Sequence, residues 1–320
     1  MKMIGCMFRE DTLDDLMSRV LGALLNADSH VEASRGRATE IFGATLILNN
    51  PRARLSRSES KGKLFSALGE LLWYLSGDIK FEFIRYYVGK AYDDETEDQE
   101  TVRSGYGRRL FRHGETNIDQ IANVIELLKQ KPSSRRAVIQ IFDASDIDGA
   151  YKSVPCTCTL QFVNRDGKLN MLVNMRSNDA FLGLPHDVFA FTMLQEIIAR
   201  SIGAELGIYQ HCVGSLHLYD DHREKAITYL GEGYFNKVSM DPMPDGDPWR
   251  DIKNVVEFER IIRTKEVPVL EELPRYWADL CTLLQIFRAW RDSNFEECTR
   301  LRSLISSPVY RVFIEDKLTH

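Results

Sequence analysis

Between residues 135 and 220 the hydrophobic period of the chain switches from two to about 3.6 and back to two, and few architectures accommodate that succession. RRAVIQIFD (135–143) and the segments either side of Asp166-Gly167 alternate or run apolar with β-branched residues, which predicts a strand followed by a hairpin. Val188, Phe191, Leu194, Ile198 and Ile202 then recur with helical spacing, and GIYQHCVGSLHLYD (207–220) returns to a strand-like pattern. Upstream, Leu64, Leu68, Leu71, Leu72 and Leu75 line a helix ahead of Gly77, and Thr116 to Asp119 opens another that ends near Pro132. Downstream, DPMPDGDPW (241–249) reads as a surface loop and the remainder as mostly helical, with Trp277, Leu280, Leu284, Phe287 and Trp290 in one apolar stripe suited to packing. The class is α/β, and we expect one large unit, with 241–320 a helical region packed on the domain formed by 1–240.

Composition narrows the ligand. With a net charge of −6 the chain is not built for broad nucleic-acid binding, so an anionic ligand must be met by a local arginine cluster. No apolar run reaches 18 residues and the N-terminus turns acidic early, so we expect a cytoplasmic protein with no membrane partner. Six cysteines (Cys6, Cys156, Cys158, Cys212, Cys281 and Cys298) show neither a disulfide framework nor paired zinc spacing, and no metal site is expected.

In VPCTCTLQF, Cys156 follows a proline and precedes the hairpin, a rigid setting for an aimed side chain, although a lone cysteine is more often a small buried hydrophobe. Further along stand NMRSNDAFLGLPHD (174–187) and GSLHLYDDH (214–222), and upstream GELLWYLSGD (69–78), YGRRLF (106–111) and SSRRAV (133–138). In order and spacing these resemble the thymidylate synthase family, over roughly residues 30–225; the C-terminal hundred residues do not match its usual ending. The resemblance implies a mixed sheet wrapped by helices in a catalytic domain, and a homodimer through the sheet whose two sites share arginines.

It also implies roles. Cys156 would be the nucleophile at C6 of a pyrimidine nucleoside monophosphate, and 5,10-methylenetetrahydrofolate the one-carbon donor. A thiolate needs a positive neighbour because free cysteine has a pKa of about 8.5, and Arg176 stands in the position to supply one while binding phosphate. Ser177 joins it, with Arg135 and Arg136 from the other subunit and one of Arg35 and Arg37 as a clamp; guanidinium forks suit phosphate oxygens. Glu70 lies within the apolar periodicity of a helix, where an unpaired carboxylate is costly, and matches the family's catalytic glutamate. Tyr106 matches the tyrosine near C5, and His217 and Tyr219, two apart on a strand, point the same way toward a sugar hydroxyl. Asp179 is carried to the pterin of the folate, with Leu182, Gly183 and Tyr92 beside it.

Asp187 stands where the synthases carry asparagine, and a carboxyl group suits the 4-amino group and bare N3 of cytosine better than uracil. This aspartate, with VNMRSND (173–179) and VGSLHLY (213–219), resembles the deoxycytidylate or cytidylate hydroxymethylase branch. Where the synthases have WDxW this chain has AYDDET, with Tyr92 and Glu95, so water is expected to add to the transferred carbon in place of hydride. Ser177 and the Arg135-Arg136 pair favour dCMP over CMP. The alternatives are methylation of dUMP and a silent nucleotide-binding homologue.

Overall fold

The computed structural model describes residues 5–33, 35–56, 63–233, 237–265 and 273–319. Strands β1 (Met7–Glu10), β2 (His30–Ala33), β3 (Gly36–Leu48), β4 (Val138–Gln140), β5 (Thr157–Arg165), β6 (Lys168–Asp179) and β7 (Glu205–Tyr219) form one mixed sheet in the order β1-β3-β7-β6-β5-β4, with β2 paired to β3. The hairpin lies where Asp166-Gly167 predicts it. Both residues have positive φ (52° and 74°), the twist a two-residue turn between antiparallel strands requires. β6 and β7 then run parallel, which a tight turn cannot connect, and α6 (Gly183–Ser201) makes the crossover.

β4 is shorter than its apolar run suggests. It is an edge strand, and the Gln120 side chain closes the edge by donating to Gln140 O (2.7 Å) and accepting from Gln140 N (2.9 Å). Gln120 opens α5 (Gln120–Gln130), capped by Asp119, whose side chain accepts from Ala122 N at 2.9 Å.

Helices cover one face of the sheet. Leu160, Phe162, Leu169, Met171, Val173, Tyr209 and Val213 are buried on it. α6 lies between that face and α2 (Leu64–Leu75), which explains why both helices are apolar almost all round. Around them pack α1 (Leu13–Leu25), α3 (Phe81–Val88), α4 (Tyr106–Phe111) and α7 (Arg223–Gly231). The C-terminal helices α8 (Trp249–Arg263), α9 (Arg275–Arg291), α10 (Phe295–Arg302) and α11 (Arg311–Thr319) continue the same core, α9 lying on α2 with Phe287 stacked on Phe65 at 6.0 Å. On the other face, alternate residues such as Thr159, Gln161, Asn174, Gln210 and Cys212 are only half buried, and Phe42 is 61% exposed. Among the described residues no helix is long and apolar enough to cross a membrane.

Candidate active site

The C-terminal end of β6, the start of β5 and the first turn of α6 meet at Cys156, and the buried helix α2 joins them through Glu70, which acts on Asp187. Backbone pairing locks the cysteine to its arginine: Arg176 N donates to Cys156 O at 2.8 Å. The Arg176 guanidinium is itself aimed, its Nε donating to Pro155 O and its Nη2 to Val154 O, both at 2.9 Å. Burial pushes the Cys156 thiol up, Arg176 and Arg35 oppose this, and the nearby carboxyl groups of Asp187 and Glu95 reinforce it, so the net shift is upward. Among the described residues no group of three or more His, Cys, Asp or Glu could hold a metal ion.

Of the two candidate clamp arginines, Arg35 pairs with Glu95 at 2.6 Å beside Cys156, whereas Arg37 approaches Asp220 at 3.9 Å. The exposed side chains of Arg135 and Arg136 make no hydrogen bond or ion pair to any described residue of their own protomer. Ser177 is half buried beside Ser215 on β7. His217, 7% exposed, meets the Tyr219 ring edge-on at 4.9 Å, so the two do share a side of the strand.

Glu70 is 6% exposed yet fully partnered. Its Oε1 accepts from the hydroxyls of Tyr92 (2.7 Å) and Tyr74 (2.8 Å), and its Oε2 lies 3.0 Å from His186 Nδ1. Burial pushes Glu70 up, but His186 and the two tyrosines outweigh it, so the carboxyl sits below its ordinary value and is ionised. Tyr92 thus holds the carboxylate directly. Tyr106 opens α4, and its hydroxyl accepts from Thr157 N (3.2 Å) and Thr157 Oγ1 (3.0 Å), fixing it next to Cys156 with its own proton still to donate.

Asp187, one turn into α6, behaves in the opposite way to Glu70. Burial raises it well above the carboxylate range, Glu70 and Asp179 add repulsion, and a single donor, Asn178 Nδ2 at 2.7 Å on Oδ2, offsets part of that. The two carboxyls are therefore driven in opposite directions, Glu70 down and Asp187 up, the arrangement that separates a base from an acid. Asp179 spends Oδ1 on the N–H groups of Phe181 (2.8 Å) and Leu182 (2.9 Å), shaping the turn into α6, while Oδ2 lies 4.0 Å from His222 Nδ1. Leu182 O accepts from Lys63 Nζ at 3.0 Å, and a Cβ on Gly183 would come within 3.0 Å of Asn178 Nδ2.

The thymidylate synthase family model matches residues 47–244, more than half of the chain and all of this site except Arg35 and Arg37. The chain belongs to the thymidylate synthase family. Members bind a pyrimidine nucleotide and transfer a one-carbon unit from methylenetetrahydrofolate, so the family points to folate-dependent one-carbon transfer at pyrimidine C5. Among the residues of the site not singled out in the sequence are Tyr74, His186 and Asn178. His186 adjoins Asp187 and Asn178 lies within MRSND, but nothing local signals their pairings.

Proposed function

We propose that this member of the family converts a cytidine nucleotide, dCMP in preference to CMP, to its 5-hydroxymethyl derivative. The neutral carboxyl of Asp187 carries the reading. A protonated carboxyl offers one donor and one acceptor, which match N3 and the 4-amino group of cytosine when the proton faces N3; uracil, with N3–H and O4, needs the proton on the other oxygen.

In this reading the Cys156 thiol loses its proton to solvent and its sulfur bonds to C6. The electron pair displaced from the C5=C6 bond is drawn toward N3, which takes the Asp187 proton. Bound methylenetetrahydrofolate supplies carbon at the oxidation level of formaldehyde, and Asp179, Leu182, Gly183 and Tyr92 would hold it; the second carboxylate oxygen of Asp179 suits an N–H edge. C5, carrying the displaced pair, bonds to the transferred carbon; the C5 proton then passes to water hydrogen-bonded to the Tyr106 hydroxyl, and the bond from that carbon to the folate nitrogen breaks so that tetrahydrofolate can leave. Glu70, ionised and held by Tyr74, Tyr92 and His186, is the base for water adding to the transferred carbon. N3 gives its proton back to Asp187 as the C6–sulfur bond breaks, so Cys156 leaves as the thiolate and the ring is restored. Arg35, Arg176 and Ser177, with Arg135 and Arg136 from a second copy, take the phosphate, and His217 and Tyr219 the sugar.

Comparing turnover of dCMP, CMP, dUMP and UMP, with products assigned by mass, tests this. A gain of CH₂O on dCMP with tetrahydrofolate released is expected. A gain of CH₂ with dihydrofolate formed would mean hydride transfer and overturn the hydroxymethyl reading.

A further inference from the structure

Asp187 stands at the end of a buried hydrogen-bond chain that reaches across β6 and β7. Tyr209 OH lies 2.7 Å from His211 Nδ1, His211 Nε2 lies 3.0 Å from Asn178 Oδ1, and Asn178 Nδ2 lies 2.7 Å from Asp187 Oδ2. Tyr209 and His211 are both 0% exposed and Asn178 is 4% exposed. Such a chain can run in two directions. Forward, Tyr209 donates to Nδ1, Nε2–H donates to Asn178, and Asn178 donates to Asp187. In reverse, with the Asn178 amide turned over, Asp187 donates from Oδ2 and the last donor is His211 Nδ1–H, received by the Tyr209 oxygen.

The two directions are not equivalent. The Tyr209 hydroxyl has no hydrogen-bond partner among the described residues except His211. In the reverse chain its proton would be buried with no acceptor, a penalty the forward chain avoids. Burial also pushes His211 down to about 3, so the ring is neutral, as a one-way chain needs. The absent side chain of Gly183 gives Asn178 Nδ2 its room, since a Cβ there would lie 3.0 Å from it.

Building on the cytosine reading above, we infer that Tyr209, His211 and Asn178 are positioning residues that fix the direction of this chain, confine the Asp187 proton to Oδ1, and thereby make the site select cytosine over uracil. With Oδ2 receiving Asn178, the proton has only Oδ1 to occupy, and Oδ1–H is a donor for a bare ring nitrogen. Reversed, Oδ1 becomes a bare acceptor suited to the N3–H of uracil.

Two measurements test this. In the wild-type protein, ¹⁵N chemical shifts of His211, assigned with the His211→Gln variant, should show the Nε2–H tautomer. Tyr209→Phe keeps the ring but removes the one group that breaks the symmetry, so the ratio of kcat/KM for dCMP over dUMP should fall about tenfold, the cost of one buried unpaired donor. An Nδ1–H tautomer overturns the inference, as does an unchanged ratio in Tyr209→Phe, and neither touches the cytosine reading. A wild-type preference for dUMP overturns the cytosine reading, and with it the role of the chain in selection.

Discussion

At the scale of single residues, opposite titration of neighbouring groups organises the site. Because burial raises the Cys156 thiol and Arg176 offsets only part of this, alkylation by iodoacetamide should accelerate as pH rises beyond about 8.5. Arg176→Gln removes a charge that lowers the thiol, so at pH 7 that reaction should slow severalfold, as peptide mass spectrometry of the Cys156 adduct would show. Asp187 makes a stability prediction with its own sign. Its folded-state pKa is raised, so it costs stability once the pH exceeds the unfolded carboxyl value near 3.9, and the cost grows as pH rises toward the folded value. Asp187→Asn should therefore raise the Tm by roughly a few degrees at pH 7. The gain should vanish below about pH 4, and the preference should move toward dUMP; a melting series across pH with paired kinetics checks both. The residues proposed as nucleophile, phosphate ligands and paired carboxyls stand out in the sequence because each lies in a dense local motif. Asn178, His211 and Tyr209 do not, because their meaning depends on parallel pairing of β6 with β7 and on a helix that returns Asp187 beside Asn178.

Secondary-structure elements were legible in proportion to how local their causes are. The hairpin follows from Asp166-Gly167, α5 from Asp119 and α6 from its apolar spacing. β3 escaped notice even though it is among the longest strands, since its burial pattern is set by pairing with β7 on one edge and with β1 and β2 on the other. The packing of α2 on α3 and α9 is equally non-local. α2 presents Gly69 to the Tyr87 ring, which stacks on Phe287 of α9 at 5.3 Å and donates to Glu259 of α8 at 2.8 Å. A Cβ at position 69 would overlap that ring, and a backbone carrying Glu70 one residue later cannot shift without moving that carboxylate, the proposed base. Gly69→Ala should destabilise the protein by about 3 kcal/mol in urea unfolding, with turnover lost at temperatures where the variant is still folded.

At the scale of the whole molecule, the half-buried sheet face and the unpartnered Arg135 and Arg136 belong to one question. Both arginines are exposed in the protomer and bonded to nothing described in it, while among the described residues the cations that act most strongly on Cys156 are Arg176 and Arg35. A nucleotide phosphate needs more than that, and a two-fold dimer through the open face would bring each pair to the other copy's site. Because the two contributions come from different chains, they can be separated genetically. Cys156→Ser lacks the nucleophile but keeps the arginines, whereas Arg135→Ala/Arg136→Ala keeps the nucleophile but lacks the phosphate contacts. Each variant alone should be inactive. Mixed in equal amounts and allowed to exchange subunits, half the dimers carry one chain of each kind, and each of those has one intact site, so about a quarter of wild-type activity should return. Arginines acting within their own chain would leave the mixture as inactive as its parts, whatever its sedimentation showed.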